Sequence, residues 1–243
     1  MRKLVALLAM ALVVTGCSSG TLPAQLSDLA PRGEDRTPGV VYLKEDKTYQ
    51  PFLVISESYS NGGALLLRKH LLDDEMAYKP DIDQKGAYYP SSGIDKYLSG
   101  AYLKKLSLSG KIPKTEIRVA TGIALGEVVR ETEPIKRKVF LLSATEHGFK
   151  SVINCVEGET LEYFRNGRNQ KAECISGIAK DYWLRSAYFW EENQAWFISE
   201  TGICAGALIS TEMAIRPAFC LPGTLKLKMT DKILENQEVF VLE

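Results

Sequence analysis

Apolar residues recur along this chain in short runs, separated by polar stretches rich in Gly, Pro and Ser, a layout that predicts strands more than helices. "VVYLKE" (40–45) reads as a first strand. "PFLVISES" and "ALLLRKHLL" flank Asn61-Gly62-Gly63, a strong hairpin signal. "DDEMAYKPDIDQKGAYYPSS" (73–92) predicts a polar loop. Beyond it, Ile94, Tyr97, Leu98, Ala101 and Tyr102 fall at helical spacing, with Ser91 or Ser92 as the cap. "KVFLLSA" (138–144) is a continuous apolar run that predicts a buried strand. Short strands follow in 182–190 and in "QAWFISETGICAGAL", the latter turning at Thr201-Gly202. "MAIRPAFCL" predicts a strand whose Pro217 favours an edge or a bulge. "TLKLKM" and "EVFVLE" predict a closing hairpin. The expected class is α+β: a compact strand-rich domain with one or two helices.

The first residues follow a different rule. Arg2 and Lys3 precede an apolar run from Leu4 to Val14, then Thr15, Gly16 and Cys17. A secretory signal has this order, and the run is too short for an ordinary spanning helix. Small residues before Cys17 predict a bacterial lipoprotein, cleaved after residue 16 and acylated on that cysteine. The lipid bilayer is then a partner, and the expected location is extracytoplasmic, at the cell surface or outer membrane. Residues 17–38 predict a flexible tether that could span about 60 Å. A domain at 39–222 and a hairpin extension at 223–243, packed on it, complete the expected organisation.

Charge adds an exclusion. Lys+Arg and Asp+Glu both number 30, and cleavage removes two of the basic residues, so no overall field recruits nucleic acid. Beyond Cys17 the cysteines are Cys155, Cys174, Cys204 and Cys220. An even number outside the cytoplasm predicts disulfides, with Cys155–Cys174 and Cys204–Cys220 favoured because each closes a short loop; four reduced, buried thiols are the alternative. No CxxC supports a zinc or thioredoxin-like site.

Candidate chemistry is sparse. His70 and His147 lie in no metal spacing, and no G-x-S-x-G elbow accompanies them. Asp81, Asp83 and Gly86 begin like a calcium loop, but Lys85 and Ser92 occupy ligand positions and remove the charge an ion needs. No catalytic residue, metal or cofactor is expected. Aromatic faces are the better lead, since they stack on sugars or anchor protein contacts. Trp183 reads as core, whereas Tyr188, Trp190 and Trp196, with Asp81 and Asp83, are the candidate ligand contacts. Apolar neighbours favour partial burial for Arg185 and Arg216, and a buried guanidinium must be paired because it cannot shed its proton.

The order "SSGIDKYLSGAYLKKLS", "KVFLLSATEHGF", "DYWLRSAYFW", "AWFISETG" and "AIRPAF" resembles a bacterial extracellular family, domain of unknown function 6273, over roughly residues 38–222. Trp183, Leu184, Arg185 and Ser186 match its W-L-R-S signature, and Arg216 and Pro217 its terminal R-P-A; Ala187 and Phe52 depart from the usual Pro and Trp. The resemblance implies a C-type-lectin-like fold, although the calcium-dependent sugar motifs of true lectins are absent. The leading expectation is a surface-anchored, non-catalytic binding module for a saccharide or protein. The alternatives are a formylglycine-generating-type oxidoreductase using Cys204 and Cys220, and a purely structural envelope lipoprotein.

Overall fold

The structure is a computed structural model, and it describes residues 23–32, 37–81, 86–121, 131–150, 155–188, 191, 193–234 and 237–242. It is mostly β, with one main helix and several sheets. Strands β1 (Val40–Glu45), β2 (Thr48–Ser56), β3 (Ala64–Arg68) and β4 (Met76–Ala77) come first. Helices α1 (Gly93–Tyr97) and α2 (Leu103–Lys105) are joined through a π-helical turn, Leu98–Tyr102. Then come β5 (Thr115–Ala120), β6 (Thr132–Arg137), β7 (Val139–Phe140), β8 (Tyr182–Ala187), β9 (Gln194–Ile198), β10 (Cys204–Leu208) and β11 (Glu212–Met213). β12 (Ala218–Leu221), β13 (Leu227–Leu234) and β14 (Gln237–Leu242) close the chain.

The main sheet runs β13-β14-β1-β2-β3-β12-β7, and smaller sheets are β10-β9-β8, β11-β4 and β5-β6. Strands β1 and β14 pair in parallel; through that pairing the C-terminal hairpin joins the main sheet beside the first strand. The expected β2–β3 turn forms because glycine has no side chain: a Cβ on Gly62 would meet Thr115 Oγ1 at 2.3 Å, and Gly63 has φ +95. Asn61 Oδ1 accepts the backbone N–H of Glu116, which ties the turn to β5. The core lies under the main sheet, where Phe52 meets Phe219 edge-on at 5.2 Å and Trp183 meets Tyr78 at 5.5 Å.

Helix α1 is capped by Ser92, whose Oγ accepts Asp95 N–H at 3.0 Å. Ile94, Leu98, Tyr102 and Leu106 are buried at four-residue intervals, while Ala101 is exposed. The π turn opens the spiral and swings Ala101 off the apolar stripe that regular spacing assigned to it.

Several expectations are corrected. Residues 24–30, assigned to the tether, belong to the body: Leu26 and Leu29 are in the core, and Leu26 and Ser27 donate to the carbonyls of Leu225 and Gly223. The run 138–144 is a strand only at Val139–Phe140. Its remainder is buried but bonded elsewhere, Leu141 N–H to Tyr89 Oη and Ala144 N–H to Ser186 Oγ. Pro217 does not mark an edge, since β12 starts one residue later and lies between β3 and β7. The β5–β6 hairpin was not foreseen, although Thr115, Ile117 and Val119 are buried alternately with exposed Glu116 and Arg118.

The favoured disulfides do not form: Cys155, Cys174, Cys204 and Cys220 carry unbridged thiols. Cys220 belongs to the main core and Cys174 to a second apolar cluster against which Cys204 packs, while Cys155 Sγ donates to the carbonyl of Glu131. Burial pushes the Cys155 thiol up to about 11, and the Cys204 and Cys220 thiols up to about 12.

Candidate functional site

The W-L-R-S run forms β8, so its side chains alternate between two faces. Trp183 enters the main core and donates its indole N–H to the carbonyl of Met76 at 3.0 Å. Leu184 enters the second cluster beside Tyr182. Arg185 and Ser186 enter a buried polar network built around the turn "SATEH" (143–147).

Arg185 Nη1 and Nη2 donate to Glu146 Oε2 and Oε1 at 2.7 and 2.9 Å, and both side chains have no exposure. The remaining guanidinium protons go to the carbonyls of Leu141 at 2.8 Å, Glu157 at 2.6 Å and Arg118 at 3.0 Å. All five donors are therefore used, which is what a buried guanidinium requires. Glu146 also accepts from Ser143 N–H at 2.8 Å and from the Tyr59 hydroxyl. Beside it, Glu157 accepts from Ala120 N–H at 2.9 Å and from the Ser186 hydroxyl. Burial pushes the Glu157 carboxyl above its ordinary range, against the pull of Arg185. Burial, then the Glu146 charge, raises the Tyr59 hydroxyl well above its usual value.

This network floors a cleft of about 910 Å³. One wall is the end of β2 and the loop to Ser60, another is Glu116–Arg118 of β5, a third runs from Glu157 to Arg165, and Pro31–Arg32 bound the last side. Gly158 (φ +136) brings the third wall close, because a Cβ there would meet Glu146 Oε1 at 2.9 Å. Charges on the walls are partly paired: Arg32 with Glu57 at 3.6 Å, and Arg165 with Glu162. Arg118 is turned to Thr132, so Glu116 and Glu159 stand exposed without an arginine partner among the described residues. The cleft is polar, with an acidic excess above a fixed floor.

A family model described as a domain of unknown function (DUF6273) matches residues 61–223, a span that carries the 143–147 turn, β8 and β12. The chain belongs to this family. In this DUF6273 chain Arg185 and Ser186 join the network beneath the cleft, whereas Trp183 and Leu184 enter the two apolar clusters. Comparison with curated proteins and with solved structures gives no match.

The contacts expected from sequence lie elsewhere. Trp196 is buried and meets the half-buried Tyr188 edge-on at 4.7 Å, so it offers no open face. Asp81 is exposed, and none of the three lines the cleft. Trp190 and Asp83 fall outside the described residues, as does Cys17. Arg216 is buried as well: its Nε donates to the carbonyl of Arg68 at 3.1 Å, and its guanidinium lies over the Tyr182 ring at 5.9 Å. His147 is buried, with Nδ1 against Gln170 Oε1 at 3.2 Å; burial, then Arg216 and Arg185, hold its pKa well below the usual value. Glu146, Glu157 and Tyr59 were missed. A clue lay in "LLSATEH", an acid embedded in an apolar stretch, together with the buried arginine's need for a partner.

Proposed function

We propose that this protein is an acylated surface lipoprotein whose domain binds a polar extracellular or envelope ligand, a saccharide or a protein segment, in the acidic cleft. The observation that supports it most is the contrast between floor and walls. Both oxygens of Glu146 and of Glu157 are engaged, so these carboxylates hold shape instead of standing ready to move protons. The walls present serines and the unpaired Glu116 and Glu159 to an incoming ligand, a surface suited to amine- or hydroxyl-bearing groups. Binding in a preformed polar cleft needs nothing more.

A C-type-lectin-like arrangement is part of the same reading; short sheets joined by long loops over the floor support it. An oxidation through paired cysteines has less support, because Cys204 and Cys220 sit on different sheets. The signal at residues 1–17 supports the anchor, and metabolic labelling with an alkynyl fatty acid tests it: label lost in Cys17→Ser is the expected outcome. Titration of the mature protein against glycan and basic-peptide panels tests the cleft. The double variant Glu116→Gln/Glu159→Gln should bind about tenfold more weakly at unchanged melting temperature. Full affinity in that variant would remove the cleft from the reading.

A further inference from the structure

Next to the acidic cleft, on the same β5–β6 hairpin, the charge reverses. A second pocket of about 510 Å³ is lined by Lys96, Ser99 and Leu103 from the helical segment, Lys114 before β5, and Lys136, Arg137 and Lys138 at the end of β6, with Pro90 and Asp95. Asp95 is its only acid, and Arg137 consumes it: Nε lies 2.8 and 3.0 Å from the two carboxylate oxygens and Nη2 2.8 Å from Oδ2. Among the described residues, the four remaining ammonium groups have no carboxylate in bonding range. Of these, Lys138 donates to the carbonyl of Ser109 at 2.9 Å, and Lys136 stands across the strand pair from Glu116. Lys96, Lys114 and Lys136 are exposed.

Nothing in the overall composition requires such clustering, because basic and acidic residues number 30 each. Four like charges around one concavity repel each other, a cost that an incoming multivalent anion relieves. The π turn sits on this pocket: it carries Ser99, an exposed residue whose side chain hydrogen-bonds Asp95, and separates Lys96 from Leu103 along the lining. Lysines suit a compact oxyanion, which they meet as point charges.

We infer that this pocket is a phosphate site, occupied independently of the acidic cleft. A phosphate group could be free or part of a lipid headgroup, and the two sources are separable with soluble probes. The mature protein should broaden the phosphorus resonance of inorganic phosphate at constant ionic strength set with sodium chloride. Titration with glycerophosphoglycerol, a headgroup without its tails, forms the second arm: binding of both probes assigns a diester headgroup, and binding of inorganic phosphate alone assigns a free phosphate. Lys96→Ala/Lys114→Ala should weaken either by tenfold or more, whereas Lys47→Ala, outside this pocket, should leave both unchanged. Absence of binding by both probes above the chloride control, or equal affinity in the double lysine variant with an unchanged melting temperature, overturns the proposal. Glu116→Gln/Glu159→Gln should leave phosphate binding intact, which distinguishes this site's failure from the cleft's.

Discussion

At the level of single residues, Arg185 carries the most. Removing one member of a fully buried ion pair strands the other, at a cost of about 3–5 kcal/mol. Arg185→Ala and Glu146→Gln should each lower the melting temperature by roughly 10 °C, read by calorimetry. The pair also shows what a sequence can carry. Apolar neighbours announced the burial of Arg185, but its partner lies 39 residues away and is chosen by the fold. Trp196 misled for a related reason: alternation says that one face of β9 is covered, yet not which aromatic lies beneath Tyr188.

His147 gives a pH signature. Its folded pKa lies below the ordinary value of about 6.5, so the unfolded chain takes up the proton first. The stability it contributes is complete above about pH 6.5 and is lost as pH falls below that, with a slope of at most about 1.4 kcal/mol per pH unit. Denaturant unfolding between pH 5 and 8 should show this slope reduced in His147→Gln, whatever that variant's absolute stability.

Among elements, the helical segment offers a clean test. Gly100 lies in the π turn, and a Cβ added there would meet nothing within 4 Å. Gly100→Ala should therefore stabilise by about 0.5–1 kcal/mol, chiefly by restricting the unfolded chain, and raise the melting temperature by a few degrees. The helix, its cap and the first hairpin were legible because each rests on local rules. The β5–β6 hairpin followed the same alternation, but its exposed side is mostly charged and mimics a loop. The shortening of 138–144 to two strand residues was not legible at all. Side chains as distant as Tyr89 and Ser186 take over the backbone bonding there.

At the scale of the molecule, free thiols replace the expected bridges. Weakly acidic, with Cys155, Cys174 and Cys220 buried and Cys204 half-buried, the four thiols should resist a disulfide reagent at pH 8 in the native state and react on unfolding. Dithiothreitol should leave the melting temperature unchanged. Reagent uptake by native protein, or a lower melting temperature on reduction, would restore a bridge to the account.

The clasp of Leu26 and Leu29 reaches further than stability. Leu26→Ala should cost about 2–5 kcal/mol. With Cys17 acylated as proposed, the body begins seven residues on, at Ala24, and not beyond residue 38. Seven residues reach at most roughly 25 Å, so the leash is less than half as long as the composition of 17–38 implied. Pro31 and Arg32, which bound the acidic cleft, follow directly on the clasp. Under the proposed anchoring, a domain so moored would sweep a shallow hemisphere above the headgroups, and a ligand of the proposed cleft would have to come to the membrane to be caught.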